Sequence, residues 1–448
     1  MNSKDKISLH NSFFIETYGC QMNLYDSELV TSILIDAGYS KAESLDSADI
    51  VLLNTCAVRE HAEKRVMGRI TVLKQWKKQR NGRKIGVLGC VAQVSGKQIL
   101  KQNSFVDFVA GPDTYRNLPQ MISDINHTSS ISILLNSGEN YSGIEPVRAK
   151  GVTGWLAIMR GCNNFCTYCI VPYTRGRERS RPAHEIIDEL KSMADKGIKD
   201  VTLLGQNVNS YNDGKTDFTS ILYKASKVEG ILRIRFLTSH PKDISDSLLH
   251  LMAENKKICS HLHLPLQAGS DKILKSMNRG YTLEHYLGII EKARTLMPDL
   301  SLSTDIIVGF PGETQEDFKE TYNAMKEIRF DDAFTYRFSP RTGTAAAKMK
   351  NQIPEKIIME RLDSIIKLQR QISLEKRETF IGSYIDVIPE TTSKHSEAEW
   401  IGNTEWNFPV VFPKDNYIAG ELVTVKITEL KGMTLRGVPI SNFKKAAV

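Results

Sequence analysis

The chain has 448 residues, 41% hydrophobic and 25% charged, with a formal net charge of +7. That length supplies two or three domains with ample buried core. No apolar run reaches the ~18 residues of a transmembrane helix, and the N-terminal MNSKDKISLHNSFF lacks the apolar stretch of a signal peptide, so a cytoplasmic protein without membrane contact is expected. The mild positive charge permits nucleic-acid binding without requiring it, because a clustered patch rather than a total marks such a surface.

Phe13–Thr17 reads as a strand, and a helix over Ser27–Ala37 ends at Gly38, a good cap. Ile50–Asn54 is a second strand, residues 59–77 a second helix, and Lys84–Gly89 a third strand. Short apolar strands alternating with helices predict a parallel α/β domain over residues 1–126. Residues 127–150, rich in Ser, Asn and Gly, read as a linker. Candidate strands then recur at Trp155–Arg160, Asp200–Leu204, Arg233–Thr238, His261–Leu264, Ser303–Val308 and Phe334–Phe338. Helices such as Ala183–Lys196 and Thr282–Leu296 lie between some of them. Six β/α units predict a partial (β/α)6 barrel over residues 151–378, with sites at the C-terminal ends of strands. Residues 354–378 form a long helix whose Ile358, Leu362, Ile365, Leu368 and Ile372 share one face. Ile381–Ile388, Pro409–Phe412, Glu421–Ile427 and Thr434–Val438 read as short strands of a small all-β domain over 379–443.

The seven cysteines are an odd number in a chain read as cytoplasmic, which favours metal or catalytic use over disulfides. Cys162, Cys166 and Cys169 fall within eight residues, directly after the apolar WLAIMRG. Zinc would want a fourth ligand, and ferredoxin runs use a tighter rhythm with a further cysteine. Three thiolates around a cluster leave one iron open, which SAM (S-adenosylmethionine) can chelate. Cys20, Cys56 and Cys90 each follow a predicted strand, separated by 36 and 34 residues. Strand ends of a parallel sheet share one edge, so these three can converge on a metal. Buried small hydrophobes are the other reading. Cys259 stands apart as a structural residue.

Leu203–Asn209 ends the second barrel strand. There Gly205 and Gln206 either bind the amino or carboxylate group of SAM or form a plain turn. His261 and His263 face one side, as polar lumen lining or, less favourably, as ligands. Gly309–Thr314 either approaches SAM or is a structural turn, with Thr314–Asp317 an approximate capping box. Arg175, Arg177, Arg179 and Arg181 form either a solvated face or contacts to substrate phosphates.

The CxxxCxxC spacing, with Tyr168 before the third cysteine, resembles the signature of the radical SAM superfamily, in which that aromatic packs near the SAM adenine. The whole chain resembles the methylthiotransferases of that superfamily. The resemblance rests on Thr17–Asn23, Asp26-Ser27-Glu28, Asn54–Glu60 and Gly89–Gln93, and it favours the tRNA-acting branch over the branch acting on a ribosomal protein. It implies a radical SAM barrel, a C-terminal TRAM β-barrel associated with RNA binding, and a [4Fe–4S] cluster on each trio: Cys162, Cys166 and Cys169, and Cys20, Cys56 and Cys90. The implied reaction converts N6-isopentenyl-adenosine at position 37, in the tRNA anticodon stem-loop, to its 2-methylthio derivative. It uses two SAM molecules, one a methyl donor and one a radical source. A flavodoxin-like or ferredoxin-like electron donor and a monomeric enzyme complete the expectation. One departure stands out: TRAM segments often read Gly-Arg-Thr, whereas this chain has Gly402-Asn403-Thr404, which weakens local phosphate attraction.

Overall fold

Ile50-Val51-Leu52-Leu53 is apolar at every position because both of its faces are covered. In the computed structural model, which describes residues 12–57, 60–124, 130–148 and 150–440, this strand lies inside a six-stranded parallel sheet. The order is Ser40–Lys41, Ser12–Thr17, Ile50–Thr55, Lys84–Gly89, Phe108–Ala110, Ser130–Ser132. Ile50 and Leu52 pack with Leu29, Val30 and Leu34 of helix Gln21–Asp36. Val51 and Leu53 pack on the other face with Val66, Ile70 and Leu73 of helix Glu60–Lys78 and Val91 of helix Cys90–Gln102. The first helix begins at Gln21, before the expected Ser27, since Gln21-Met22-Asn23 carries no apolar period although Cys20 already occupies the N-cap. Ser130–Ser132 is an edge strand inside the stretch read as linker. Asn126, Val58 and Arg59 lie outside the described residues.

Contacts divide the chain into two units. The first joins the sheet to residues 159–165 and 169–181, stretches that the sequence reading gave to the central domain. The candidate strand Trp155–Arg160 is accordingly split. Thr153–Ala157 enters the barrel, while Met159–Arg160 pairs antiparallel with Arg179–Ser180.

The second unit holds six parallel barrel strands in two sheets. One orders Arg233–Phe236, Asp200–Leu204, Thr153–Ala157, and the other His261–His263, Ser301–Val308, Asp332–Arg337. A parallel bridge joins Ile234 of the first sheet to Ile258, three residues before His261–His263 of the second. Alternation along Ser301–Val308 separates two faces. Leu302, Thr304, Ile306 and Val308 are buried on the helix-covered side, while Ser303 and Asp305 share the lumen side with His261 and His263.

The long helix Glu355–Glu378 buries Ile358, Ile365, Leu368 and Ile372 as its period requires. Five strands then close a small barrel around Val387, Val410, Phe412, Val425 and Ile427. Ser396–Asn403 is the strand that sequence missed, because its exposed Glu397 and half-buried Trp400 disguise the alternation. This barrel docks on the N-terminal ends of the larger barrel's strands. Arg233 donates to the carbonyls of Asn403 (2.6 Å) and Asp386 (2.7 Å), and Arg235 to that of Thr404 (2.7 Å) while pairing with Asp200 at 2.9 Å. Removing one partner of a buried pair strands the other charge, at about 3–5 kcal/mol. Arg235→Met is therefore expected to lower unfolding stability by about that amount in urea titration, and an unchanged midpoint would disprove the docking role.

Two candidate metal centres

Cys20, Cys56 and Cys90 follow three adjacent strands at their C-terminal edge, and the first two flank the point where strand order reverses. That edge is where open parallel sheets place ligands. Cys56 is fully buried, Cys90 nearly so, and Cys20 half-buried. The turn before Cys20 is tight against Cys56: a Cβ on Gly19, whose φ is +133°, would lie 2.2 Å from the Cys56 Cβ. Cys20 caps helix Gln21–Asp36 and Cys90 opens helix Cys90–Gln102, so two thiols sit at positive helix ends. A hydrogen bond with Cys56 brings the Cys20 thiol down to about 6, outweighing burial, with help from the Arg175 charge and the N–H groups of Asn23 and Met22. Burial pushes the Cys90 thiol up. Asn23, Ser27 and Asn54 knit the floor of the site. The Asn54 amide donates to Ser27 Oγ and to the Asn23 carbonyl, both at 2.9 Å.

Beside these thiols lies a buried ion network. Asp26 pairs with Arg160 at 2.8 Å and with Arg175 at 2.7 Å. Burial opposes its charge, yet the two guanidinium groups hold its carboxyl below the usual carboxylate range. Arg179 pairs with Asp113 at 2.8 Å, and the Arg181 guanidinium donates to the Tyr25 hydroxyl at 3.2 Å. Arg175, Arg179 and Arg181 are thus interior residues, neither a solvated face nor phosphate contacts. Arg177 alone remains outside, over the Phe165 ring. A charge run resembles a surface because sequence does not display the carboxylates that receive it.

The second trio occupies the loop after Met159–Arg160. The Asn164 N–H points at the Cys162 sulfur from 3.5 Å. Arg279, buried, donates to the Cys166 sulfur at 3.4 Å and to the Pro265 carbonyl at 3.1 Å. Tyr168 packs on the cluster of Ile273, Leu274, Met277 and Phe310. Among the described residues no three His, Cys, Asp or Glu side chains form a group drawn together around a single ion.

A polar cofactor needs partners beyond thiols. Half-buried Gly205 and Gln206 sit at the C-terminal end of Asp200–Leu204. Around the C-terminal ends of three successive strands, Asn207 Oδ1, Ser239 Oγ, His240 Nε2 and Gln267 Oε1 are buried without a protein partner. Buried polar atoms are rarely left unpaired, so this lining fits a bound molecule as polar as SAM. Thr238 and Gln267 adopt φ of +68° and +70° there, strain that tends to gather at functional sites. None of Thr238, Ser239 or Arg279 carries a spacing signal that sequence reading could use, and Asp26 entered only through the family resemblance, without its ion-pair role. Gly309, by contrast, is a structural turn. Its φ is +75°, and a Cβ would meet Ile358 of the long helix at 2.5 Å. The Thr314–Asp317 capping box is present. His261 and His263 share Ser303 at 3.0 and 2.9 Å as lumen lining, and Cys259 is buried apart from both trios. In the small barrel, Asn403 donates to Glu390 at 2.9 Å and lends no cation.

A CxxxCxxC loop following the first strand of a partial (β/α)6 barrel, with unpaired polar atoms at the C-terminal ends of that barrel's strands, is the arrangement of a radical SAM enzyme. The comparisons agree. The Radical SAM superfamily model matches residues 156–325, the TRAM domain model residues 378–440, and the model described as "Uncharacterized protein family UPF0004" residues 12–111. The tRNA-2-methylthio-N(6)-dimethylallyladenosine synthase of Thermoanaerobacter sp. (strain X514) is 48% identical over 95% of this chain and 92% of its own. That of Carboxydothermus hydrogenoformans is 45% identical over 95% and 99%. The radical SAM methyltransferase TsrM from Kitasatospora setae shares the fold, with a TM-score of 0.58 at 13% identity over 75% of this chain and 74% of that one. The chain belongs to the family of tRNA-2-methylthio-N(6)-dimethylallyladenosine synthases, which are radical SAM methylthiotransferases. No helix among the described residues is long and apolar enough to cross a membrane.

Burial, then Arg235 and His263, hold the His261 imidazole down to about 3. An unfolded histidine takes up its proton near ~6.5, so below that pH the unfolded chain binds more protons than the folded one and stability falls with pH. The urea midpoint is expected to drop between pH 7 and pH 5, and His261→Gln to flatten that drop. Equal slopes in the two proteins would refute it.

Proposed function

We propose that this enzyme converts N6-isopentenyl-adenosine at position 37 of a tRNA to its 2-methylthio derivative. It would use two SAM molecules and two [4Fe–4S] clusters, one held by Cys162, Cys166 and Cys169 and the other by Cys20, Cys56 and Cys90. The observation that carries the reading is that Cys20, Cys56 and Cys90 follow the C-terminal ends of three adjacent parallel strands, in a chain that also has a CxxxCxxC loop. When bound, the first cluster with SAM supplies a radical able to attack an unactivated C–H, and the second supplies the sulfur to be methylated and transferred.

The chain's own residues bind, orient and enclose. Arg279 and the Asn164 N–H steady the sulfurs of Cys166 and Cys162. Tyr168, Gly205 and Gln206, with Ser239 and Gln267, hold SAM. The adenine must leave its stack to enter the barrel, where Phe334 is 51% exposed on the lumen face and lies edge-on to His263. Asp305 stands opposite Phe334 in the ladder and would accept the N6–H. Backbone affinity from the small C-terminal barrel would fall with salt. SAM cleavage needs an electron from a flavodoxin-like or ferredoxin-like donor, and a cytoplasmic monomer completes the reading.

Anaerobic reconstitution with an anticodon hairpin, with and without the isopentenyl group, followed by mass analysis of the adenine, tests the reaction. Cys20→Ala is expected to keep cleavage of SAM to 5′-deoxyadenosine and to lose methylthio transfer, and full transfer in that variant would refute the second cluster's role. Cys166→Ala is expected to lose the cleavage itself. Phe334→Ala should raise KM for the hairpin roughly ten-fold, since a base stack contributes ~1–3 kcal/mol; an unchanged KM removes Phe334 from the base site.

A further inference from the structure

Around Asp26 the buried ion pairs are not matched one to one. Asp26 contributes one negative charge, while Arg160 and Arg175, both against it, contribute two positive ones. The neighbouring Arg179 is already matched by Asp113. Side chains of Asp26, Arg160 and Arg175 are at most 4% exposed, so solvent does not absorb the excess. An uncompensated buried charge costs several kcal/mol. The Nη1 atoms of Arg160 and of Arg175 are also buried without a protein partner. The imbalance lies at the cysteine trio, because Thr174, the residue before Arg175, hydrogen-bonds the Cys90 thiol. The helix carrying Thr174, Val171–Thr174, begins two residues after Cys169.

We propose that Arg175, held in place by Asp26, is a positioning residue for the cluster on Cys20, Cys56 and Cys90, supplying the positive charge that balances it and sets its reduction potential. This rests on the reading that those cysteines hold a cluster. A [4Fe–4S]2+ core on three thiolates carries about one negative charge, which matches the excess. Reduction adds a second negative charge, so the potential depends on how much positive charge stands nearby. Arg175 donates its spare N–H to a sulfur of the cluster, and Asp26 moderates its charge.

The test uses the full chain with Cys162, Cys166 and Cys169 all changed to alanine, leaving only this cluster after anaerobic reconstitution. Iron content and an EPR-monitored redox titration are the readouts, and activity is not needed. Removing the cation in Arg175→Gln should move the midpoint to more negative potential. Removing the anion in Asp26→Asn should move it the opposite way, and Arg175→Lys should stay near the parent. Opposed shifts separate electrostatics from general damage to the fold. Loss of the cluster in Arg175→Gln while Arg175→Lys retains it also supports the proposal. Unmoved potentials, shifts of the same sign, or equal loss of cluster in both Arg175 variants overturn it. A parent without any iron–sulfur cluster overturns instead the reading of Cys20, Cys56 and Cys90, and the proposal with it.

Discussion

One buried carboxylate ties together a stretch of chain that would otherwise be free to wander. Asp26, on the first helix, grips Arg160 and Arg175, which stand on either side of the loop bearing Cys162, Cys166 and Cys169. Both ends of that stretch are thereby anchored in the first unit, which is why residues 159–165 and 169–181 pack there rather than with the barrel strands on either side in sequence. The antiparallel pair Met159–Arg160 with Arg179–Ser180 closes the stretch further. Breaking a buried ion pair of this kind costs on the order of 3–5 kcal/mol, a large share of a domain's net stability.

The rest of the arrangement follows from strand direction. Parallel sheets gather their C-terminal strand ends on one edge, and each unit places its candidate site residues on that edge. The first places three thiols there, two of them at helix N-termini. The second places there an unpaired polar lining, from Asn207 to Gln267. The opposite ends of the barrel strands are left for architecture: Arg233 and Arg235 spend their donors on carbonyls of the small C-terminal barrel. Docking of the small barrel and the unpaired polar lining thus occupy opposite ends of the barrel strands.

Much of the fold was legible because it rests on periodicity. The apolar runs of Ile50–Thr55 and Lys84–Gly89, and the helical stripe from Ile358 to Ile372, emerge as read. The misreadings have one physical source, which is that polar residues do not announce their partners. Ser396–Asn403 hid as a strand because its outward glutamates outweigh its inward residues. Arg175 and Arg179 could be read as surface because their partners, Asp26 and Asp113, are distant in sequence. Of the two readings open for the Gly309 turn, the structural one holds, since Ile358 of the long helix fills the space beside it.

By itself the sequence determined the placing of the six cysteines after apolar strands and the class of chemistry that such spacing suits. Both are local properties, settled within a few residues along the chain. Only the tertiary structure decided what surrounds them. It brought Asp26 between Arg160 and Arg175, turned Arg279 toward Cys166, and left Phe334 bare in the lumen beside Asp305. The contacts of Asp26 and of Arg279 join residues more than a hundred positions apart, and for Asp26 the energy of burying an ion beside its counter-ion, rather than any local pattern, selects the partner.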